Sequence, residues 1–262
     1  MNATESFHAG HLQDAIDAQL KEVKANPADH GKRLFLFEML AFSGDLERAQ
    51  KQIEVVNYGE LERDKAVMDY RKLLDGERMR RKVFSEGLPP QFLAEAPEHV
   101  RLRLEAVNCL RNKRDTEAAE LLGRANSAAP ILGEWNDKPF SLLRDADDLF
   151  GTVVEVMAHG NYYWAPLEQL DSVTINAPRY PRDLLWVPAK LAMRDGAAGD
   201  AFLPALYPGS HESGDDQVRL GRRTDWKSTT AEAVLGIGLH TFLVGEDGAT
   251  LLELRSLTIG AQ

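Results

Sequence analysis

The sequence predicts an α+β chain in two domains, helical first and β second, on three observations. Gly10-x-Leu12-x-x-Ala15 returns 34 residues later as Gly44-x-Leu46-x-x-Ala49, and the first copy closes with Asn26-Pro27. A period of about 34 residues is that of the tetratricopeptide-type helical hairpin, in which small residues let two antiparallel helices approach. Prolines punctuate the helical pattern, and beyond residue 150 the apolar spacing changes from helical to extended. The expected layout is a tetratricopeptide-like helical repeat domain over residues 1–130, a linker over 131–150, and a small antiparallel β-barrel-like domain over 151–262.

Taken in order, Leu12, Ala15, Ile16, Leu20 and Val23 recur at three- and four-residue steps, giving a helix with one apolar face that Asn26-Pro27 stops. A second helix runs from Asp29, an N-cap residue type, to Ser43, with Gly44 as its C-cap. Leu46, Ala49, Ile53 and Val56 repeat the first face, and so short a turn forces the two helices antiparallel. Glu60 to Phe84 is a longer amphipathic helix whose basic end, Arg78, Arg80, Arg81 and Lys82, reads as a solvated face suited to a helix C-terminus. Pro89-Pro90 and Pro97 make the following stretch a connector. His99 to Asn112 and Glu117 to Ala128 form a third pair, in which Ala118 and Pro130 keep the twelve-residue interval of Ala15 and Pro27.

Residues 131–150, with Trp135-Asn136, Lys138-Pro139 and the acidic run Asp145, Asp147 and Asp148, read as the linker. After it, Val153 to Met157 and Tyr162 to Trp164 are strands around a His159-Gly160-Asn161 turn. Further strands are expected at Ser172–Ile175, Leu184–Val187, Phe202–Leu206, Leu239–Val244 and Thr250–Leu254, the last two joined by a Glu246-Asp247-Gly248 turn.

Composition limits the function. A net charge of −10, with 22 basic and 27 acidic side chains in residues 1–150 and 9 and 14 in the remainder, leaves no basic arm for a nucleic-acid backbone. Cys109 is the only cysteine, so there is neither an internal disulfide nor a cysteine-rich metal site, and its place in a helix marks it as packing. With no signal-like start and no apolar run of about 18 residues, a soluble cytoplasmic protein without membrane contact is expected.

Chemistry is sparse. Ser210 lacks the Gly-x-Ser-x-Gly frame of a nucleophile elbow, His211-Glu212 lacks the second histidine of a zinc helix, and there is no P-loop. His240 has no carboxylate or cysteine near it in sequence and reads as a lone core or surface histidine; Asp215-Asp216 read as solvated turn residues. No catalytic, metal or cofactor residues are assigned. Arg219, Arg222, Asp225 and Trp226 form the more promising set, since arginine and tryptophan are favoured at interface hot spots, although a loop staple fits them equally.

Phe202-Leu203-Pro204-Ala205-Leu206-Tyr207-Pro208-Gly209-Ser210, Leu220-Gly221-Arg222-x-Thr224-Asp225-Trp226 and Gly236-x-Gly238-x-x-x-Phe242-Leu243-Val244-Gly245 together resemble the ImpE family, also called TagJ, of type VI secretion accessory proteins. Asn26-Pro27-Ala28-Asp29, Arg33-x-Phe35-Leu36-Phe37-x-x-Leu40 and Gly44-x-x-x-Arg48-Ala49 resemble that family's amino-terminal repeat; His240 departs from the arginine expected at its position. The resemblance implies a non-enzymatic adaptor that binds a helical segment of the small contractile-sheath subunit and associates with the ClpV-type AAA+ ATPase during sheath disassembly. A repeat groove suits such a helix. Leu34, Phe37, Glu38 and Ala41 on the second helix, with Arg219, Arg222, Asp225 and Trp226, are the expected partner-binding residues. The rival is an enzyme or small-ligand binder built on the 207–226 loop, which requires Ser210, His211, Asp215 or Asp216 to converge.

Overall fold

The computed structural model describes residues 1–229 and 233–260. Seven helices come first among them: α1 (Ala3–Ala9), α2 (Leu12–Ala25), α3 (His30–Phe42), α4 (Leu46–Ile53), α5 (Leu61–Glu86), α6 (Glu98–Arg111) and α7 (Asp115–Ala125). Local chemistry sets their ends. Asn2 and Glu5 cap α1 reciprocally, Asp29 and Asp45 accept the backbone N–H of Lys32 and Arg48, and Gly10 and Gly44 adopt left-handed φ values of 84° and 81° that turn α1 into α2 and α3 into α4. The 34-residue repeat is thus a repeated helix–glycine–helix turn.

The strands follow: β1 (Gly133–Trp135), β2 (Lys138–Phe140), β3 (Leu143–Asp145), β4 (Val153–Ala158), β5 (Asn161–Pro166), β6 (Leu170–Ile175), β7 (Trp186–Met193), β8 (Ala198–Pro204), β9 (Thr224–Ser228), β10 (Val234–Gly238), β11 (Thr241–Val244), β12 (Asp247–Thr250) and β13 (Ser256–Ile259), with a one-turn helix α8 (Asp216–Arg219) before β9. An eight-stranded antiparallel sheet runs β2-β1-β13-β6-β7-β8-β4-β5, beside a β9–β10 hairpin and a β12-β11-β3 sheet. The large sheet is open, with β2 and β5 as its edges, and does not close into the barrel expected from sequence. Short strands alone do not fix closure; the pairing order does.

Other expectations shift as well. Residues 131–150 hold three strands, and β1 and β3 pair with β13 and β11, so this stretch is woven into the sheets. Leu251–Glu253 is a 3-10 turn, and the strand lies before it at Asp247–Thr250. The turn between β11 and β12 falls on Gly245-Glu246, one residue earlier than expected, with Gly245 at φ 63°. The Pro89-Pro90 connector lies along β5, where Gln91 exchanges backbone hydrogen bonds with Tyr162 and Trp164.

One continuous apolar core spans helices and sheets. Phe37 of α3 stacks on Trp186 of β7 at 6.2 Å, and Phe84 of α5 packs on Trp164 of β5 and on Phe150. Cys109 is buried on α6.

Candidate docking cleft at the helix–sheet seam

The seam is held by charges that come from distant parts of the chain. Arg80 is 6% exposed, and its guanidinium donates to both carboxylate oxygens of Glu155 at 2.6 Å and to the carbonyl of Leu206. The basic end of α5 is therefore divided: Lys82 is exposed, Arg80 is buried, and Arg81 donates to Glu77 and to the Gly44 carbonyl. Single-residue exposure cannot be read from a run of like charges, because helical spacing turns Arg80 inward with Val83 and Leu73.

His240 is equally committed. It is 4% exposed, with Nδ1 2.7 Å from Asp145 and Nε2 3.0 Å from Glu155, carboxylates that lie 95 and 85 residues away in sequence. Tyr207 donates to Asp145 at 2.5 Å, and Tyr162 donates to Glu155 at 2.5 Å. Burial alone would lower the His240 pKa; Asp145 and Glu155 outweigh it and hold the imidazole up at about 9. Burial would likewise raise Glu155, but Arg80, aided by His240, brings it to about 2. Asp147 has no arginine in hydrogen-bond contact: burial and then Asp145 push it up to about 7, against the backbone N–H groups of Gly236 and Leu149 that it accepts and the more distant charge of His240. The void beside Asp145, Glu155 and His240 measures about 10 Å³, which leaves no room for a substrate there.

Beside this network a cleft of about 590 Å³ opens between α5, the end of α6, the 147–150 loop, the 208–212 turn and β10. Phe84, Leu110, Leu149, Phe150, Pro208 and Leu235 form its apolar walls. Glu77, Arg80, Arg81, Asp147, His211 and Glu212 supply its charged and titratable lining.

The partner residues expected from sequence are dispersed relative to this cleft. Phe37, Glu38 and Ala41 are buried, Leu34 is half-buried against the core, and Glu38 forms a buried ion pair with Arg182. That face of α3 meets β7 and its approach in place of an open groove. Arg219 pairs with Asp216 at 3.0 Å, and Arg222 donates to the carbonyls of Phe7 and His8 at the end of α1. Asp225 pairs with Arg223 through two hydrogen bonds, and Trp226, 43% exposed, sets its ring edge-on to Tyr207. Arg222 is a staple between helices and β region; Trp226 faces solvent.

The rival constellation does not converge. Ser210 donates to Tyr207 O and accepts from Gly238, Asp215 caps α8, Asp216 accepts the free N–H of Leu12, and His211 lines the cleft. Sequence reasoning passed over the seam residues, yet one signal was present: Glu155 stands inside Val153-Val154-Glu155-Val156-Met157, and a carboxylate in such a run needs a buried partner.

Residues 137–258 match the profile of the ImpE protein family. The type VI secretion system accessory component TagJ of Pseudomonas aeruginosa (strain PAO1) is 37% identical over 260 residues, covering 98% of this chain and 90% of its own length. The chain belongs to the ImpE family, also called TagJ. The crystal structure of protein VPA1032 from Vibrio parahaemolyticus shares the fold, with a TM-score of 0.89 and 25% identity over 99% of this chain and 98% of that one. Family membership therefore extends over the helices, the seam and the sheets together. Among the described residues no helix is long and apolar enough to cross a membrane.

Proposed function

We propose that this member of the ImpE family is a non-enzymatic accessory component of type VI secretion that acts in the cytoplasm as an adaptor. In this reading it binds the small subunit of the contractile sheath through a helical segment and associates with the ClpV-type AAA+ ATPase that disassembles contracted sheaths. The observation that carries it is the 37% identity with the accessory component TagJ over 98% of the chain. The surface around Trp226 and the Arg223–Asp225 pair supplies an exposed aromatic flanked by charge, the composition of an interface anchor. Phe37, Glu38 and Ala41 contribute by holding the seam, and Arg219 and Arg222 by fixing the loop that precedes Trp226.

The test is capture of purified sheath small subunit and ATPase by the immobilised full chain, since helices and sheets share one core. Retention of the small subunit is expected, with Trp226→Ala weakening it about tenfold. If neither protein is retained by the wild-type chain, the adaptor reading fails.

A further inference from the structure

The seam cleft combines an apolar wall with two acids, Asp147 and Glu212, that among the described residues have no lysine or arginine within 4.0 Å. Its two arginines are already committed: Arg80 to Glu155, and Arg81 to Glu77 and the Gly44 carbonyl. Burial and then the neighbouring Arg81 lower the His211 pKa, which disfavours its charged form. Glu212, whose side chain is 77% exposed at the mouth, has His211 at 3.8 Å as its nearest ion partner. Asp147, almost wholly buried at the inner end, accepts backbone N–H groups, and among the described residues no Lys, Arg or His nitrogen lies within 4.0 Å of it. Glu77 is offset by Arg80 and Arg81, so an anion entering here would meet Asp147 and Glu212.

A side chain that matches such a cavity is apolar along its stem and cationic at its tip, as lysine and arginine are. A volume of about 590 Å³ accommodates one such side chain and an apolar neighbour. We propose that the seam cleft receives a lysine or arginine side chain from a partner protein segment, its stem against Phe84, Leu110 and Leu235 and its cation toward Asp147 and Glu212. The half-buried state of those three apolar side chains fits an opening that a partner completes. The site goes beyond the accessory role: it is defined by its chemistry and is tested with a synthetic peptide. Failure to capture the sheath subunit would leave it standing, and a failed titration would leave the accessory role standing.

The experiment is a methyl NMR titration of the full chain with acetyl-Leu-Arg-Leu-amide and, separately, acetyl-Leu-Glu-Leu-amide. The arginine peptide is expected to shift the methyl resonances of Leu110, Leu149 and Leu235 saturably and to bind at least about tenfold tighter than the glutamate peptide. Glu212→Lys, a change on an exposed side chain, is expected to weaken the arginine peptide at least about fivefold with the rest of the spectrum unmoved. Asp147→Asn should weaken it too. Equal or tighter binding of the glutamate peptide overturns the proposal. So do full affinity in Glu212→Lys and shifts confined to methyl groups outside the cleft.

Discussion

The three helical hairpins make their turns in the same way but for different neighbours. Gly10 and Gly44 occupy equivalent places, five residues before Ala15 and Ala49, and five residues before Ala118 stands Lys113. All three are left-handed, Lys113 at φ 58°. A Cβ on Gly10 would come within 2.2 Å of Gln217 Nε2, and one on Gly44 within 2.2 Å of the His211 ring. Lys113 is exposed and points its side chain to water. The first two turns are therefore docking points for the loop between β8 and β9, whereas the third only reverses the chain. Glycine at a repeat position answers two demands, backbone sign and close approach, and this molecule separates them.

The largest effect that bears on this difference is expected from Arg80→Met. It takes the guanidinium from both oxygens of buried Glu155, leaving it only His240 and Tyr162, and the loss should be about 3–5 kcal/mol by urea denaturation. Because the docked side then loosens, Gly44→Ala should cost less in that background than in the wild type. Equal costs would break the link between docking and the turn.

Next comes Gly44→Ala itself. The left-handed backbone costs an L-residue about 1–2 kcal/mol, and displacing His211 adds to it, for about 2–4 kcal/mol in all. Pairing it with His211→Ala should recover the collision part and leave the backbone part. If nothing is recovered, close approach is not what requires the glycine.

The seam should also be pH-dependent. His240 has its folded pKa raised from 6.5 to about 9, so its contribution is complete below pH 6.5 and is lost as pH rises through 9. Asp147, raised from 3.8 to about 7, acts in the same direction over a lower window, from about pH 4 to 7. His240→Gln should remove the upper limb, on the order of 2–3 kcal/mol, and, because His240 helps to hold the Asp147 pKa down, move the end of the lower one to higher pH. Chemical denaturation at intervals from about pH 4 to 10 reads both.

The smallest effect is Lys113→Gly. Relief of left-handed strain at an exposed turn should stabilise the chain by about 0.5–1 kcal/mol, with no change when His211 or Arg222 is also altered.

What was legible in the sequence follows period and local chemistry. Leu12, Ala15, Ile16 and Val23 share a face, Asp29 caps, and Gly44 turns, all within a few residues of one another. The seam is written at long range. Arg80 meets Glu155, and Glu38 meets Arg182, across 75 and 144 residues, and no period announces such pairs. For the same reason the second helix offered Phe37 and Glu38 as a groove, although the sheet region already covers them. The three-residue strands β1 and β2 escaped notice because they turn through Asn136 and Asp137 at φ 51° and 64°, a two-residue hairpin signal inside a stretch read as a linker. At position 240 the choice of histidine has a chemical meaning. Arginine or a protonated imidazole can each neutralise Asp145 and Glu155, but only the imidazole can lose that charge in mild base.

Gln91 has a consequence at the other end of the sheet. By bonding to Tyr162 and Trp164 it gives β5 a partner along its outer side, and on the opposite edge β2 presents Lys138 and Pro139. A proline withholds a ladder donor, and a lysine resists burial against a second sheet. Two copies that meet at either edge of the eight-stranded sheet thus find no bare strand to extend, which guards this sheet against fusing with a second one into a fibre.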